Sequence, residues 1–119
     1  MSGLVEAVMD KEGVVHPKGI AKYFHTTMKE VADLAGLSID AVSKKARANS
    51  PNSQARLRDM VMIINRVTPW CGDTFQAYAW YRSEPIPSFD DLTAQALVRQ
   101  GRGDAVMRYL DRIADGGYA

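Results

Sequence analysis

The chain has 119 residues, enough for one compact domain or two small halves sharing a core. Its 46% hydrophobic content argues against disorder, and no apolar run approaches the ~18 residues a membrane span requires. The net charge of +1 hides an uneven spread: residues 16–66 hold nine Lys and Arg against four acids, while residues 1–15 and 67–119 are each acidic by two, so a polyanion is a natural partner for the middle unless a solvated face carries the excess.

Residues 1–16 show weak periodicity, broken at Gly3 and Gly13, and read as a flexible arm with a turn of helix through Leu4, Val5, Val8 and Met9. Glu6, Asp10, Lys11 and Glu12 interrupt it where a secretory leader needs a basic start and an unbroken apolar stretch; a cytoplasmic protein is expected. Pro17 suits the first turn of a helix with Ile20, Ala21, Tyr23 and Phe24 on its apolar side. Thr27 caps the next helix, Met28 to Ala35, with Glu30 placed as in a capping box, and Gly36 ends it. Ser38 caps a helix from Ile39 to about Ala48, which Asn49-Ser50-Pro51-Asn52 stops. Ser53 opens a longer helix with Leu57, Met60, Val61, Ile63, Ile64 and Val67 inward, and Thr68-Pro69 breaks it.

Gly72 to Ser83 reads as a helix bearing Phe75, Tyr78, Ala79, Trp80 and Tyr81. The prolines of Glu84-Pro85-Ile86-Pro87-Ser88 impose an irregular link, and Asp90-Asp91 suits the positive end of a helix dipole. Thr93 caps a short helix through Ala96, Leu97 and Val98. Gly101 and Gly103 bracket a turn before a last helix, Asp104 to Asp115, with Val106, Leu110 and Ile113 on one side. Met60, Met62 and Met107 read as core filling, and Cys71, the only cysteine, as a buried thiol. No stretch alternates strongly enough for a strand, so the expected fold is all α.

The most informative window is Thr27 to Asn49, TMKEVADLAGLSIDAVSKKARAN. Two helices meeting at a tight turn need a small residue at the crossing, a positive φ at the turn and an apolar plug beneath it; Ala32, Gly36 and Leu37 supply these. Val42 then faces back to Val31 and Leu34. The order from Val31 to Ser43 resembles the repressor pattern V-A-x-x-A-G-x-S-x-x-x-V-S, which implies a helix-turn-helix whose second helix lies in the major groove. Candidate DNA-binding residues are Ser38, Ile39, Asp40, Ser43, Lys44, Lys45, Arg47 and Asn49. Lys44, Lys45 and Arg47 suit phosphates; Ile39 could touch a thymine methyl, and Asp40 could accept from cytosine N4, although a carboxylate near phosphates is awkward. A helix pair used only for packing or dimerisation would carry the same buried positions.

The C-terminal half carries a second resemblance. Ala79-Trp80-Tyr81-Arg82-Ser83-Glu84-Pro85-Ile86-Pro87, then Leu92-Thr93, then Ala96-Leu97-Val98-Arg99-Gln100-Gly101, resembles the toxin-binding domain of the Xre/MbcA/ParS antitoxins, as do Val106, Tyr109, Leu110, Ile113 and the terminal Gly116-Gly117-Tyr118-Ala119. The likeness runs from about Leu57 to the end, with Ile86 standing where such antitoxins carry an Asn. With the arm over 1–16 and a helix-turn-helix DNA-binding and dimerisation region over 17–67, it implies a toxin-binding domain over 68–119. It further implies a RES-domain toxin as partner, related to ADP-ribosyltransferases, whose NAD cleft the antitoxin covers, and an operon repressed through operator DNA. Candidate toxin-binding residues are Trp80, Tyr81, Arg82, Arg99, Arg108, Tyr109, Arg112, Tyr118 and Ala119.

Trp80 and Tyr81 are adjacent, so one helix cannot bury both; Trp80 reads as the inward residue and its neighbour as a surface anchor. Tyr118 follows two glycines, so its ring could enter a nucleotide pocket, although residues at a chain end are ordinarily a free tail. Solvation alone would explain Arg99, Arg102, Arg108 and Arg112.

A catalytic role is not expected. His16 and His25 are isolated from other metal ligands, and Gly101-Arg102-Gly103 follows no strand that would make it a phosphate cradle. No cofactor and no metal are expected. A stand-alone regulator with a dimerising C-terminal half is the alternative to an antitoxin, and a helical adaptor with a degenerate DNA-binding fold is a third reading.

Overall fold

A single long helix forms the axis on which the other elements pack. The computed structural model describes residues 3–116, which are all α: α1 (Leu4–Val8), α2 (Pro17–Tyr23), α3 (Met28–Ala35), α4 (Ile39–Ser43), α5 (Lys45–Ala48), α6 (Pro51–Cys71), α7 (Thr74–Ser83), a 3₁₀ turn (Pro87–Phe89), α8 (Ala94–Arg99) and α9 (Gly103–Ala114). Among the described residues no strand forms, only the single bridges Met9–Val15 and Ile86–Leu92.

The axis is α6, and it is longer at both ends than its sequence suggests. Ser50, not Ser53, is its cap: the Ser50 hydroxyl accepts from the Ser53 N–H at 3.3 Å. Pro51 takes the first helical position, where its missing N–H would have had no partner. Pro69 does not end the helix, which continues to Cys71, because a proline this close to the C-terminus removes one ladder bond from the last turns. Leu57, Met60, Val61, Ile63, Ile64 and Val67 are buried, as their spacing requires. Met62 faces out instead, and Cys71 is only half-buried.

Residues 3–16 do not form an arm. Leu4, Val8 and Val15 are buried in the common core, and α1 packs on α2 and α6. The Gln54 side chain of α6 binds this segment as a strand would: it accepts from the Val15 N–H at 2.8 Å and donates to the Val15 carbonyl at 2.9 Å. Its amide also donates to the Ala48 carbonyl at 2.8 Å, so one buried side chain holds both the N-terminal segment and α5. The apolar pattern was hidden because a turn divides it. Asp10 closes that turn, accepting from the Glu12 and Val14 N–H groups at 3.0 Å each and pairing with His16 at 2.9 Å; these bonds hold its carboxyl below the usual range.

The helix expected from Ile39 to Ala48 is two short helices joined at an elbow. Lys44 adopts an extended backbone (φ −91°, ψ 121°) between α4 and α5. Val42 and Ala48 are both buried, yet six residues of continuous helix would point them about 120° apart. The elbow turns both inward.

The C-terminal elements share this core, and α6 runs across the boundary expected at 67/68. Tyr81 is fully buried and its hydroxyl donates to the Leu34 carbonyl at 2.7 Å, near the end of α3. It is Tyr81, not Trp80, that points inward; Trp80 is half-buried. Ile86 fills the core under the proline link, and its N–H bonds the Leu92 carbonyl at 3.0 Å. Asp90 and Asp91 do not begin a helix. Both take left-handed conformations (φ 56° and 64°) in the tight turn between Ile86 and Leu92, a region Asp tolerates better than most residues. Thr93 caps α8, accepting from the Ala96 N–H at 3.0 Å.

The C-termini of α3 and α8 meet. Gly36, in a left-handed conformation (φ 70°), lies so close to α8 that a Cβ there would sit 2.7 Å from the Arg99 Cα. Arg56 of α6 fills the space between the two ends. Its Nη1 donates to the Val98 and Arg99 carbonyls at 3.1 and 3.2 Å and reaches the Gly36 carbonyl at 3.5 Å. A guanidinium at two negative dipole ends satisfies carbonyls that helices cannot satisfy themselves.

Two stability measurements follow from these contacts. Arg56→Met should lower the free energy of urea unfolding by about 2–4 kcal/mol, since it strands carbonyls at two helix ends. Tyr81→Phe should lower it by about 1–3 kcal/mol while preserving the helical circular dichroism spectrum.

Candidate functional site

Two surfaces collect the residues with chemistry to offer, one on α2–α5 and one on α7–α9. On the first, the packing expected of the α3–α4 pair is present. Thr27 accepts from the Glu30 N–H at 3.1 Å and Ser38 from the Ala41 N–H at 3.2 Å, so each helix starts on a side-chain cap. The Leu37 N–H returns to the Ala32 carbonyl at 2.8 Å across Gly36, closing the turn. Val31, Ala32, Leu34 and Val42 are buried beneath it.

Of the eight residues proposed for DNA, Ser38 is occupied as a cap, while Ile39, Asp40, Ser43, Lys44, Lys45, Arg47 and Asn49 are exposed. Ile39 is 50% exposed, a large apolar side chain at the front of α4 with solvent on one side. The elbow at Lys44 divides the set: Ile39, Asp40 and Ser43 ride on a five-residue helix, and Lys45 and Arg47 on the next. A continuous ten-residue reading surface is therefore absent here, because burying Ala48 redirects the second half.

The charges on this surface are more one-sided than the sequence count suggests. Arg56 is spent on helix ends, Arg58 donates to the Gly13 carbonyl at 2.8 Å, and Arg66 pairs with Asp111 at 2.8 Å. That leaves Lys18, Lys22, Lys29, Lys44, Lys45 and Arg47 exposed and, among the described residues, without an ion pair. The acids of α3 are matched from elsewhere: Glu30 by Arg82 at 3.5 Å and Asp33 by Arg99 at 2.7 Å. Lys18, Lys22 and Lys29 had been counted in the basic excess but not placed at a site, since only the folded chain brings α2 beside the α4–α5 elbow. An open groove of about 630 Å³ runs between α3 and α4, lined by Thr27, Lys29, Glu30, Ala32, Asp33, Leu37 and Ile39.

The second surface keeps only part of the residues proposed for a toxin. Tyr81 is removed from it by burial. Arg82 lies over the Tyr78 ring at 5.1 Å and reaches Glu30, and Arg99 is held by Asp33, so both already have partners within the chain. Arg108, Tyr109 and Arg112 stand together on α9, with Arg112 over the Tyr109 ring at 6.0 Å and Tyr109 edge-on to Phe89 at 5.9 Å. Trp80 borders a separate cleft with Cys71, Gln76, Ala79, Ser83 and Glu84. Burial and the nearby Glu84 carboxylate push the Cys71 thiol up, away from the reactive thiolate. Tyr118 and Ala119, proposed for the toxin cleft, lie outside the described residues.

A different aromatic group, unforeseen from sequence, joins α2 to α7. Phe24 stacks on Tyr78 at 4.1 Å and meets Tyr23 and Phe75 edge-on at 5.0 and 5.8 Å, while Phe75 remains 51% exposed. Among the described residues, no group of three His, Cys, Asp or Glu could hold a metal ion, and no helix is long and apolar enough to cross a membrane. No family model, curated protein or solved structure matches this chain.

Asp59 is a carboxylate whose ionisation the fold disfavours. It is half-buried against the first residue of α9, where a Cβ on Gly103 would approach its Cγ to 2.6 Å. Burial first, and the neighbouring Asp104 second, raise its pKa against the opposing pull of Arg56 and Arg58. A carboxyl whose pKa is higher folded than unfolded contributes stability when protonated, and that contribution is lost as pH rises through the folded value. Asp59→Asn should therefore raise the urea midpoint at pH 7, and the gain over wild type should shrink as pH falls toward about 4. Urea titrations at several pH values check both the sign and the convergence.

Proposed function

We propose that this chain is an antitoxin of the Xre/MbcA/ParS type: α3 and α4 act as a helix-turn-helix on operator DNA, and the α7–α9 surface grips a RES-domain toxin. The observation that carries the DNA half is the set of six exposed cations on α2–α5, unpaired among the described residues, beside α3 acids that arginines of α7 and α8 neutralise. Positive charge facing solvent without internal partners is what phosphate contacts require. For the toxin half, the support is the Val31–Ser43 and Trp80–Gly101 motifs on one chain, together with exposed Arg108 and Arg112 on α9 beside the half-buried Tyr109. Arginine and tyrosine are residues on which protein interfaces commonly depend. In this reading the toxin's NAD cleft is covered by the α9 end of the molecule, and a homodimer places two α4 helices on two half-sites.

A second reading is favoured by the shared core. Tyr81, Ile86, Leu97 and Leu110 all pack into the same interior as Val31 and Leu34, as they would in a stand-alone regulator whose C-terminal half only braces the DNA-binding pair. Deleting residues 68–119 would open that interior, so truncation reports on folding and not on partners. Surface substitutions separate the readings.

Co-expression with the protein encoded beside it is the decisive experiment. Wild type should rescue growth from a toxic neighbour, and Arg108→Glu with Arg112→Glu should abolish rescue while leaving DNA binding intact. Lys44→Gln with Arg47→Gln should do the reverse, weakening binding to the chain's own promoter by roughly tenfold or more at fixed salt. Promoter binding with no toxic neighbour and no co-purifying protein would establish the regulator instead.

A further inference from the structure

We propose that the cleft between α2 and the α4–α5 elbow is a seat for one phosphate of a DNA backbone. This deepens the DNA reading above and rests on it. The cleft, of about 210 Å³, is lined by His16, Pro17, Lys18, Val42, Ser43, Lys45, Ala48 and Asn49. It exists because Lys44 breaks the helix: the turn that brings Ala48 inward also swings Lys45 and Asn49 to face the start of α2.

The lining sets two lysines and neutral hydrogen-bonding side chains on a largely apolar wall. Lys18 comes from one wall and Lys45 from the other, and neither has an ion pair among the described residues. Ser43 and Asn49 add a hydroxyl and an amide that can donate, so positive charge and neutral donors converge on one space. No carboxylate lines it. Asp10, bonded to the lining residue His16, is turned to its Nε2 at 2.9 Å and to two backbone N–H groups. Val42, Ala48 and Pro17 form an apolar floor, and a charge contact beside such a wall is screened less than one in open water.

A backbone phosphate fits this better than a base edge does. The two lysines are point charges without planar, bidentate geometry, so the cleft holds charge and carries no sequence information. Its place beside Ser43, at the end of α4, continues the candidate reading helix onto the strand that flanks the groove. Lys18, outside the helix pair, then becomes part of the DNA footprint.

Salt-dependent binding to duplex DNA tests the seat. Lys18→Gln should reduce the magnitude of the slope of log K against log salt by about 1 and weaken binding to promoter and unrelated duplexes alike. Arg108→Gln, which removes the same charge from α9, should leave the slope unchanged. If Lys18→Gln behaves as Arg108→Gln does, with wild type still binding DNA, the seat is overturned and the DNA reading survives. Inorganic phosphate, followed by the amide resonances of Ser43 and Asn49, separates the sources of the anion. Shifts at those amides without any duplex binding would make the cleft a free-phosphate site and overturn the backbone assignment. Neither shifts nor duplex binding would overturn the seat and the DNA reading together.

Discussion

Arg56 is the point at which the two halves of this chain become one structure. Helices α3 and α8 end against each other, and each presents carbonyls with no intrahelical partner at the negative end of its dipole. Two such ends repel unless a cation stands between them. The guanidinium of Arg56, carried on the central helix α6, meets that need, and Gly36 permits the approach because any side chain there would strike Arg99. The Tyr81 hydroxyl on the Leu34 carbonyl and the Arg99–Asp33 pair reinforce the same junction from α7 and α8.

This junction couples the two surfaces electrostatically as well as mechanically. Glu30 and Asp33 lie on the first helix of the DNA-binding candidate, where carboxylates would repel a phosphate backbone. Arg82 and Arg99, from the half proposed to hold a toxin, neutralise them. A change that drew either arginine away would leave an unpaired carboxylate on α3, beside the exposed cations of α2–α5. The elbow at Lys44 works at the other end of that face: it shortens α4, buries Ala48 and gathers cations from α2 and α5.

Much of the fold was legible in the sequence. The caps at Thr27, Ser38 and Thr93, the left-handed Gly36, the apolar stripe of α6 and the absence of strand patterning are local features, and local rules place them. Some of the readings that failed turned on local capping, as at Ser50 and Asp90-Asp91, and others on partners distant in the chain. Residues 1–16 looked like an arm because their apolar positions are split by a turn, and nothing nearby announces that Gln54 pairs with Val15. Trp80 looked like the inward residue on size; Tyr81 takes that place, and its hydroxyl is paired there with the Leu34 carbonyl. The site was legible as a group of exposed residue types but not as a shape.

By itself the sequence determined that the chain is helical, where most helices begin and end, and which residues carry positive charge, since propensity, capping and apolar spacing act within a few residues. Tertiary structure decided which charges remain available. Arg56, Arg58 and Arg66 are drawn into the framework while Lys18, Lys45 and Arg47 stay in water. That division depends on which carbonyls and carboxylates lie within about 3 Å of each guanidinium once the helices have packed, a distance no pattern along the chain encodes.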